Sequence, residues 1–347
     1  MENLLENIVR EKRSEELVKL NAIQIVNSLF SDLMERERDI LTRRFGLNGE
    51  KNETLEKIGN LHKLTRERVR QIENASIKKI KRLDNLGEYL SVLKGVISEL
   101  LKEHGGLLRR NFLLEILTVM SLEMGNNVDN NNPDYQKNRQ IYKNRFDFIL
   151  SKLLGDDFDL LPDSDDFNAS VKTKDSAINH FENLSRDMIA KIDSLNKTLN
   201  TEELLDLLKQ LQTYPGFKEK LVANDDIDIT QVFKSQVFPD KAEMINDDKI
   251  LYSFLQTVKN LEQNKFGHWG KNDWQEIKPK TINDKIYLVL KNSGQPLHFT
   301  EIASKINEVK FDHKNANPAT VHNELILDDR YILTGRGMYG LREWQKV

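Results

Sequence analysis

From Thr65 to Leu83 the chain places polar and apolar side chains on opposite arcs of a helix. Val69, Ile72, Ile80 and Leu83 fall within roughly 80° of arc and make a stripe suited to burial. The opposite arc holds Glu67, Arg70, Gln71, Asn74, Lys78 and Lys81. These residue types match the hydrogen-bonding edges of base pairs. Arg bonds two acceptors of guanine, Gln or Asn bonds adenine, and Glu accepts from the cytosine amino group. The lysines further along suit phosphates, which fix register without reading sequence.

No comparable set points to catalysis. There are no cysteines, so a thiolate zinc site, a disulfide framework and a cysteine nucleophile are all excluded. The seven histidines are scattered, and no pair has metal-ligand spacing on a helix face. Asp163, Asp165 and Asp166 lack the glycine and distal glutamate of a calcium loop and read as a solvated turn. His104-Gly105-Gly106 lacks the following Gly-Lys-Ser/Thr of a phosphate loop, and no Gly-x-Ser-x-Gly elbow occurs. The expectation is a binding protein, not an enzyme, with no cofactor, no metal and no small-molecule substrate.

The reading helix needs a brace. Thr54 to Leu61 forms a short helix with Leu55 and Ile58 inward, and Thr54 and Thr65 each stand where a hydroxyl can cap a helix start. Two helices so joined, the first crossing the backbone and the second entering the major groove, make a helix-turn-helix. Upstream, Ser31-Asp32 offers a cap for a helix from Leu33 to Phe45, and Gly46 stands where a left-handed residue ends it. Residues 1–30 carry Leu4, Leu5, Ile8, Leu17, Leu20, Ile23 and Val26 at helical spacing.

Beyond the motif, helices are expected over Leu86–Glu103, Leu107–Met120 and Tyr142–Leu154, with an asparagine-rich loop at Asn126–Pro133 and a hairpin over Phe158–Val171. Three helices and a hairpin form the layout of a winged helix. Residues 175–265 read as polar helices of unassigned role, and Gly267–Trp274 as an aromatic turn. The end of the chain repeats the winged-helix layout. A helix spans Asn283–Asn292, Thr300 caps Glu301–Asn307, and Asn317-Pro318 starts a third helix with a capping side chain followed by proline. Tyr331–Thr334 and Met338–Arg342 are strands joined by Gly335-Arg336-Gly337. The expected fold is mainly α, with tandem helix-turn-helix and winged-helix domains and a helical linker region. The expected divisions are 1–85, 86–172, 173–275 and 276–347.

The net charge is −3 over 347 residues, yet residues 33–82 hold 14 Lys and Arg against 8 Asp and Glu. A basic module inside an acidic chain points to a nucleic-acid face more sharply than the total does. No apolar run approaches the ~18 residues of a membrane span. The N-terminus lacks the apolar core of a signal peptide. The expectation is a soluble, cytoplasmic protein with no membrane partner.

Thr54-Leu55-Glu56-Lys57-Ile58-Gly59 with Leu64-Thr65-Arg66-Glu67-Arg68-Val69-Arg70-Gln71-Ile72-Glu73 resembles region 4.2 of primary bacterial sigma factors. Arg36-Glu37-Arg38-Asp39-Ile40-Leu41 with Arg44-Phe45-Gly46-Leu47 resembles region 4.1. The resemblance implies a helix-turn-helix docking at the −35 promoter element. Arg66, Glu67, Arg70 and Gln71 would be its base-reading and groove-entry residues, while Arg44, Thr54 and Leu55 would touch or face phosphates. It also implies contact with the flap of core RNA polymerase through the region 4.1 helices. Only about 30 residues precede the motif in this sequence, and the expectation is a protein without the sigma regions that bind core polymerase and melt the −10 element.

Residues 281–345 resemble the HARE-type winged helix, on Pro296-Leu297-His298-Phe299-Thr300-Glu301-Ile302-Ala303, Asp329-Arg330-Tyr331 and Tyr339-Gly340-Leu341-Arg342-Glu343-Trp344. That family includes the delta subunit of bacterial RNA polymerase and some chromatin and restriction proteins. Thr320, His322, Asn323 and Arg336 are its exposed candidates for DNA or partner contact. Tyr331, Tyr339 and Trp344 are read as core. The combined expectation is a sigma-like transcription protein that binds promoter duplex and RNA polymerase. The alternatives are a delta-like accessory subunit acting through protein contacts, or the DNA-targeting subunit of a restriction or defence system.

Overall fold

A computed structural model describes residues 20–124, 134–174, 177–220 and 227–345. The helical spacing of residues 1–19 and the asparagine-rich loop lie outside them. The chain divides into two compact units, Met1–Asn183 with Thr213–Lys259, and Leu184–Gln212 with Asn260–Val347.

The first unit opens with α1 (Ala22–Leu29), α2 (Glu35–Phe45), α3 (Leu55–His62) and α4 (Arg66–Ile80). Helix α2 starts two residues later than the sequence suggests. Its cap position is Met34, whose N–H is taken by the Glu37 carboxylate at 2.8 Å. A side chain reaching back from the first turn replaces the expected Ser31-Asp32 cap. Gly46 ends α2 at φ 61°, a left-handed position next to the Glu50 carbonyl that leaves no room for a Cβ. Thr54 and Thr65 cap α3 and α4 as their sequence positions suggest, accepting from the N–H groups of Lys57 and Arg68. Ile40, Ile58 and Val69 form the small core that joins α2, α3 and α4, with Leu55, Leu64 and Ile72 packed against it.

Next come α5 (Leu86–Glu103), β1 (Leu107–Arg109), α6 (Arg110–Val119) running into a π-turn, α7 (Tyr135–Lys152), β2 (Phe158–Leu161) and β3 (Ser170–Thr173). The expected helix over Leu107–Met120 is a strand followed by a helix. Gly105 and Gly106 take positive φ and end α5. Leu107 and Leu108 then pair antiparallel with Lys172 and Val171. The three strands lie in the order β1-β3-β2.

Residues 173–275 do not form one continuous segment of structure. They contribute α8 (Asn179–Leu195), α9 (Thr201–Lys209), α10 (Tyr214–Lys220), α11 (Thr230–Phe233), α12 (Ala242–Asp247), α13 (Lys249–Thr257), β4 (Leu261–Gln263) and β5 (Trp269–Lys271). In the first unit α13 packs along β1, and Phe254 meets the rings of Phe181 and Phe217. Glu103 and Lys249, both fully or nearly fully buried, pair at 2.8 Å and tie α5 to α13. In the second unit β4 and β5 pair, and Trp269 donates its indole N–H to Thr201 at 2.8 Å. The aromatic turn expected at Gly267–Trp274 is thus partly a strand.

The second unit ends with α14 (Ile282–Ser293), β6 (Leu297–His298), α15 (Phe299–Val309), α16 (Pro318–Leu327), β7 (Tyr331–Gly335) and β8 (Met338–Leu341). Its strand order is β6-β8-β7, the same first–third–second order as in the earlier sheet. Both segments therefore run helix, strand, helix, helix, strand, strand, the winged-helix arrangement. His298, not Thr300, caps α15, and Asn317 caps α16 ahead of Pro318. Tyr331 and Tyr339 are buried in this core, and Trp344 packs at its edge.

Candidate nucleic-acid interface

Helix α4 buries Val69, Glu73, Ser76 and Ile80 and turns Arg66, Glu67, Arg68, Arg70, Gln71, Asn74, Lys78 and Lys79 to solvent. All six residues expected to read or steady DNA from this helix therefore share one exposed face. The helix ends at Ile80, so Lys81 and Leu83 lie just past it.

The exposed groups are already organised. Arg70 donates from Nε and Nη2 to both carboxylate oxygens of Glu67, at 2.8 and 2.7 Å. Gln71 donates to Glu67 at 3.4 Å and accepts from Arg68 at 3.2 Å. The hydrogen bond from Arg70 holds the Glu67 carboxyl below its ordinary range, and the same bond raises the guanidinium of Arg70. Both groups are ionised at neutral pH. A base edge approaching this face meets a fork of donors whose orientation is set by a neighbour one turn away.

The turn into α4 is tight. Lys63 closes α3 in the left-handed region at φ 56°. A Cβ on Gly59 would stand 2.7 Å from the Leu64 carbonyl oxygen, so this position excludes any larger residue without a shift of the turn.

Two of the residues expected at phosphates are placed differently from the rest. The Leu55 side chain packs inward on the small core, leaving only its backbone, in the first turn of α3, to meet a phosphate. Arg44 is half-buried. Its Nη1 donates to the Glu53 carbonyl at 3.0 Å, and its Nε lies 3.3 Å from Glu73 Oε2. It braces α2 against α4 from behind the reading face. Thr54 is exposed.

Sequence reasoning missed Glu73, although its place was visible. Glu73 lies on the same arc as Val69 and Ile80, one helical turn from Val69. A carboxylate on an apolar stripe requires a cation, and Arg44 supplies it.

In the second unit, Thr320 and Asn323 are exposed on α16, while His322 stacks on Phe299 with ring centres 4.6 Å apart. Arg336 is exposed at the tip of the β7–β8 hairpin. Helix α16 contains no Lys or Arg, and Ile326 and Leu327 near its end are 61% and 82% exposed. The two helices at this position in their folds thus present different chemistry: α4 a cationic, hydrogen-bonding face, and α16 a partly apolar one with no cation and one carboxylate, Glu324. Among the described residues no cluster of His, Asp or Glu is arranged to hold a metal ion, and no helix is long and apolar enough to cross a membrane.

Residues 29–82 match the family described as sigma-70, region 4. Residues 280–344 match the HARE-HTH family, whose description includes ASXL and the restriction endonuclease HTH domain. The chain is 41% identical over 88 residues to the chloroplastic RNA polymerase sigma factor sigD of Arabidopsis thaliana, covering 24% of this chain and 21% of that one. It is 39% identical over 71 residues to RNA polymerase sigma factor SigA1 of Synechococcus elongatus, covering 20% and 18%. It is 47% identical over 57 residues to RNA polymerase sigma factor RpoD of Helicobacter pylori, covering 16% and 8%. The chain thus spans about a fifth or less of the curated relatives it matches. No solved structure matches it. Residues 29–82 are a sigma-70 region 4 segment and residues 280–344 a HARE-HTH segment, carried on one chain.

Proposed function

We propose that this chain is a sequence-specific DNA-binding transcription protein that recognises a −35-type promoter element through α4 and contacts RNA polymerase. One observation carries the reading. The segment similar to sigma factors folds so that Arg66, Glu67, Arg70, Gln71, Asn74 and Lys78 share one exposed face. Base contacts from the first turns supply sequence choice, and Lys78 with its neighbours supplies salt-dependent affinity. The work is binding, without a catalytic step, and its setting is the cytoplasm, where polymerase and promoter meet.

A second reading concerns the other end of the chain. The absence of Lys and Arg from α16, together with exposed Ile326 and Leu327, favours protein contact over phosphate contact for the HARE-HTH segment. The chain then holds promoter DNA by one end and a protein of the transcription apparatus by the other.

The test is fluorescence anisotropy of the whole chain on a −35-type duplex and on a scrambled one, across a salt series. The expected result is preference for the −35-type duplex, steep loss with salt, and loss of preference in the Arg70→Ala/Gln71→Ala variant. Equal weak binding to both duplexes, unmoved by the variant, would overturn the reading and leave an accessory subunit acting through protein contacts.

A further inference from the structure

In a winged helix the third helix is the one placed to read a groove, and the hairpin lies on the flanking backbone. The first winged helix of this chain uses neither in that way. Its third helix, α7, turns Ile141, Asn144, Arg145 and Phe148 onto α1, α2 and the loop from Gly46 to Glu53. Its hairpin loop, residues 162–169, holds no Lys or Arg, carries Asp165 and Asp166, and has Asp163 paired with Lys259 at 2.9 Å, so the loop itself offers no cation to a phosphate backbone.

Helix α7 packs on α6 and α1, and Asn144 and Arg145 carry its polar contacts to the 46–53 loop. Arg145 donates from Nε to the Leu47 carbonyl at 3.0 Å, and from Nη1 to the Ile23 carbonyl and the Asn27 side chain, both at 3.0 Å. Asn144 donates to the Gly46 carbonyl at 2.7 Å and reaches the Glu50 carbonyl at 3.4 Å. Ile141 lies so close to Gly49 that a Cβ there would stand 2.9 Å from it. Phe148 meets Phe30 and Phe45 with ring centres 5.9 and 5.0 Å apart, and Lys152 Nζ lies 5.2 Å from the Phe45 ring centre.

The far end of the loop reaches the helix-turn-helix. Glu53 donates its N–H to the Arg43 carbonyl at 3.0 Å, gives its own carbonyl to Arg44, and takes Lys57 of α3 on its carboxylate at 2.8 Å. Arg44 in turn faces Glu73 of α4. Residue 54 then caps α3. Directional bonds therefore tie α7 to residues 46–50 of the loop, and Glu53 at its far end to α3 and, through Arg44, to α4; the short backbone stretch from 50 to 53 joins the two sets.

We propose that Asn144 and Arg145 are positioning residues for DNA recognition: from α7 they fix the 46–53 loop, and through it the pose of α3 and α4 toward the duplex. The proposal rests on the DNA-binding reading above. The first winged helix is then the mount of the helix-turn-helix, with its own groove-reading helix spent on the mounting.

The test uses the full chain with Asn144→Ala, Arg145→Gln and Arg145→Lys, checked for an unchanged far-UV circular dichroism spectrum and assayed well below each melting temperature. The Asn144→Ala and Arg145→Gln variants are expected to lose about tenfold in preference for a −35-type over a scrambled duplex. The salt slope should stay unchanged, because the cations of α4 remain in place. Arg145→Lys, which keeps one donor of the fork, recovers part of the loss. Amide hydrogen exchange at residues 47–58 rises in both disruptive variants in the absence of DNA. A lowered melting temperature with full duplex preference and unchanged exchange in this segment would overturn the proposal. The exchange measurement also separates it from the DNA reading: if wild type shows no duplex preference that reading fails, while raised exchange still establishes the mount and unchanged exchange removes it.

Discussion

Arg44 and Glu73 meet behind the reading face of α4, guanidinium Nε to carboxylate Oε2 at 3.3 Å, with side-chain exposures of 34% and 11%. The pair joins the helix before the turn to the helix after it. Removing Arg44 leaves the buried Glu73 carboxylate without its counterion, and removing Glu73 leaves the half-buried Arg44 guanidinium without its own. The Arg side is one-third exposed, which screens the interaction, so each single change is expected to cost only about 1–2 kcal/mol. Arg44→Met combined with Glu73→Met should cost less than the sum of the single changes, read as urea midpoints at constant slope. Additive losses would show that the two side chains act independently.

Arg70→Ala is expected to relax specificity at one base position and to weaken binding to the preferred duplex about tenfold, while Lys78→Ala weakens all duplexes alike and lowers the salt slope by about one. Binding-site selection read by sequencing checks the first, and anisotropy across a salt series the second. Unchanged preference at every position in the Arg70 variant would remove that residue from the reading set.

Lys63 holds a left-handed conformation at φ 56°, where a side chain is strained and glycine is not. Lys63→Gly should stabilise the first unit by about 0.5–1 kcal/mol, seen as a raised urea midpoint. Gly59→Ala should do the opposite, because its Cβ would press on the Leu64 carbonyl oxygen. A midpoint that moves the same way in both variants would contradict this account of the turn.

His104 is fully buried, bonds Ser253 at 2.5 Å, and stands edge-on to Phe112 and Phe233. Burial pushes its pKa down from 6.5 to about 3. The folded state keeps the imidazole neutral while the unfolded chain protonates it, so between pH 6.5 and 3 the unfolded state binds more protons. The contribution to stability is complete above pH 6.5 and is lost as pH falls toward 3, with a slope approaching 1.4 kcal/mol per pH unit. His104→Phe should flatten the stability curve between pH 6.5 and 4.5, measured by urea unfolding at each pH. Parallel curves for wild type and variant would assign the acid sensitivity to other groups.

The face of α4 was legible in the sequence because helical period alone separates Val69 and Ile80 from Arg66, Glu67, Arg70 and Gln71. Caps at Thr54, Thr65 and Asn317 were legible for the same local reason: each bond closes within three residues. What escaped was set by distant partners. Leu107 and Leu108 have an apolar pattern that fits a helix, and only Val171 and Lys172, over sixty residues away, make them a strand. Arg44 belongs to a segment similar to DNA-binding families, yet its direction depends on Glu73. The role of Asn144 and Arg145 had no sequence signal, since their acceptors are backbone carbonyls, which any residue supplies. His298 replaced Thr300 as a cap because β6 ends one residue before α15 begins, a boundary that neither pattern marks.

The packing of the Phe148 ring against Phe30, edge-on, and Phe45, tilted, sets where the chain can be cut. A fragment ending at residue 85 would keep every exposed side chain of α4 and still bare Phe30, Phe45 and Leu47 to water. Such a fragment is expected to self-associate in an expression trial. The shortest soluble piece of this protein that carries α4 must therefore carry α7 with it, and with α7 the strands and helices that hold α7 in place.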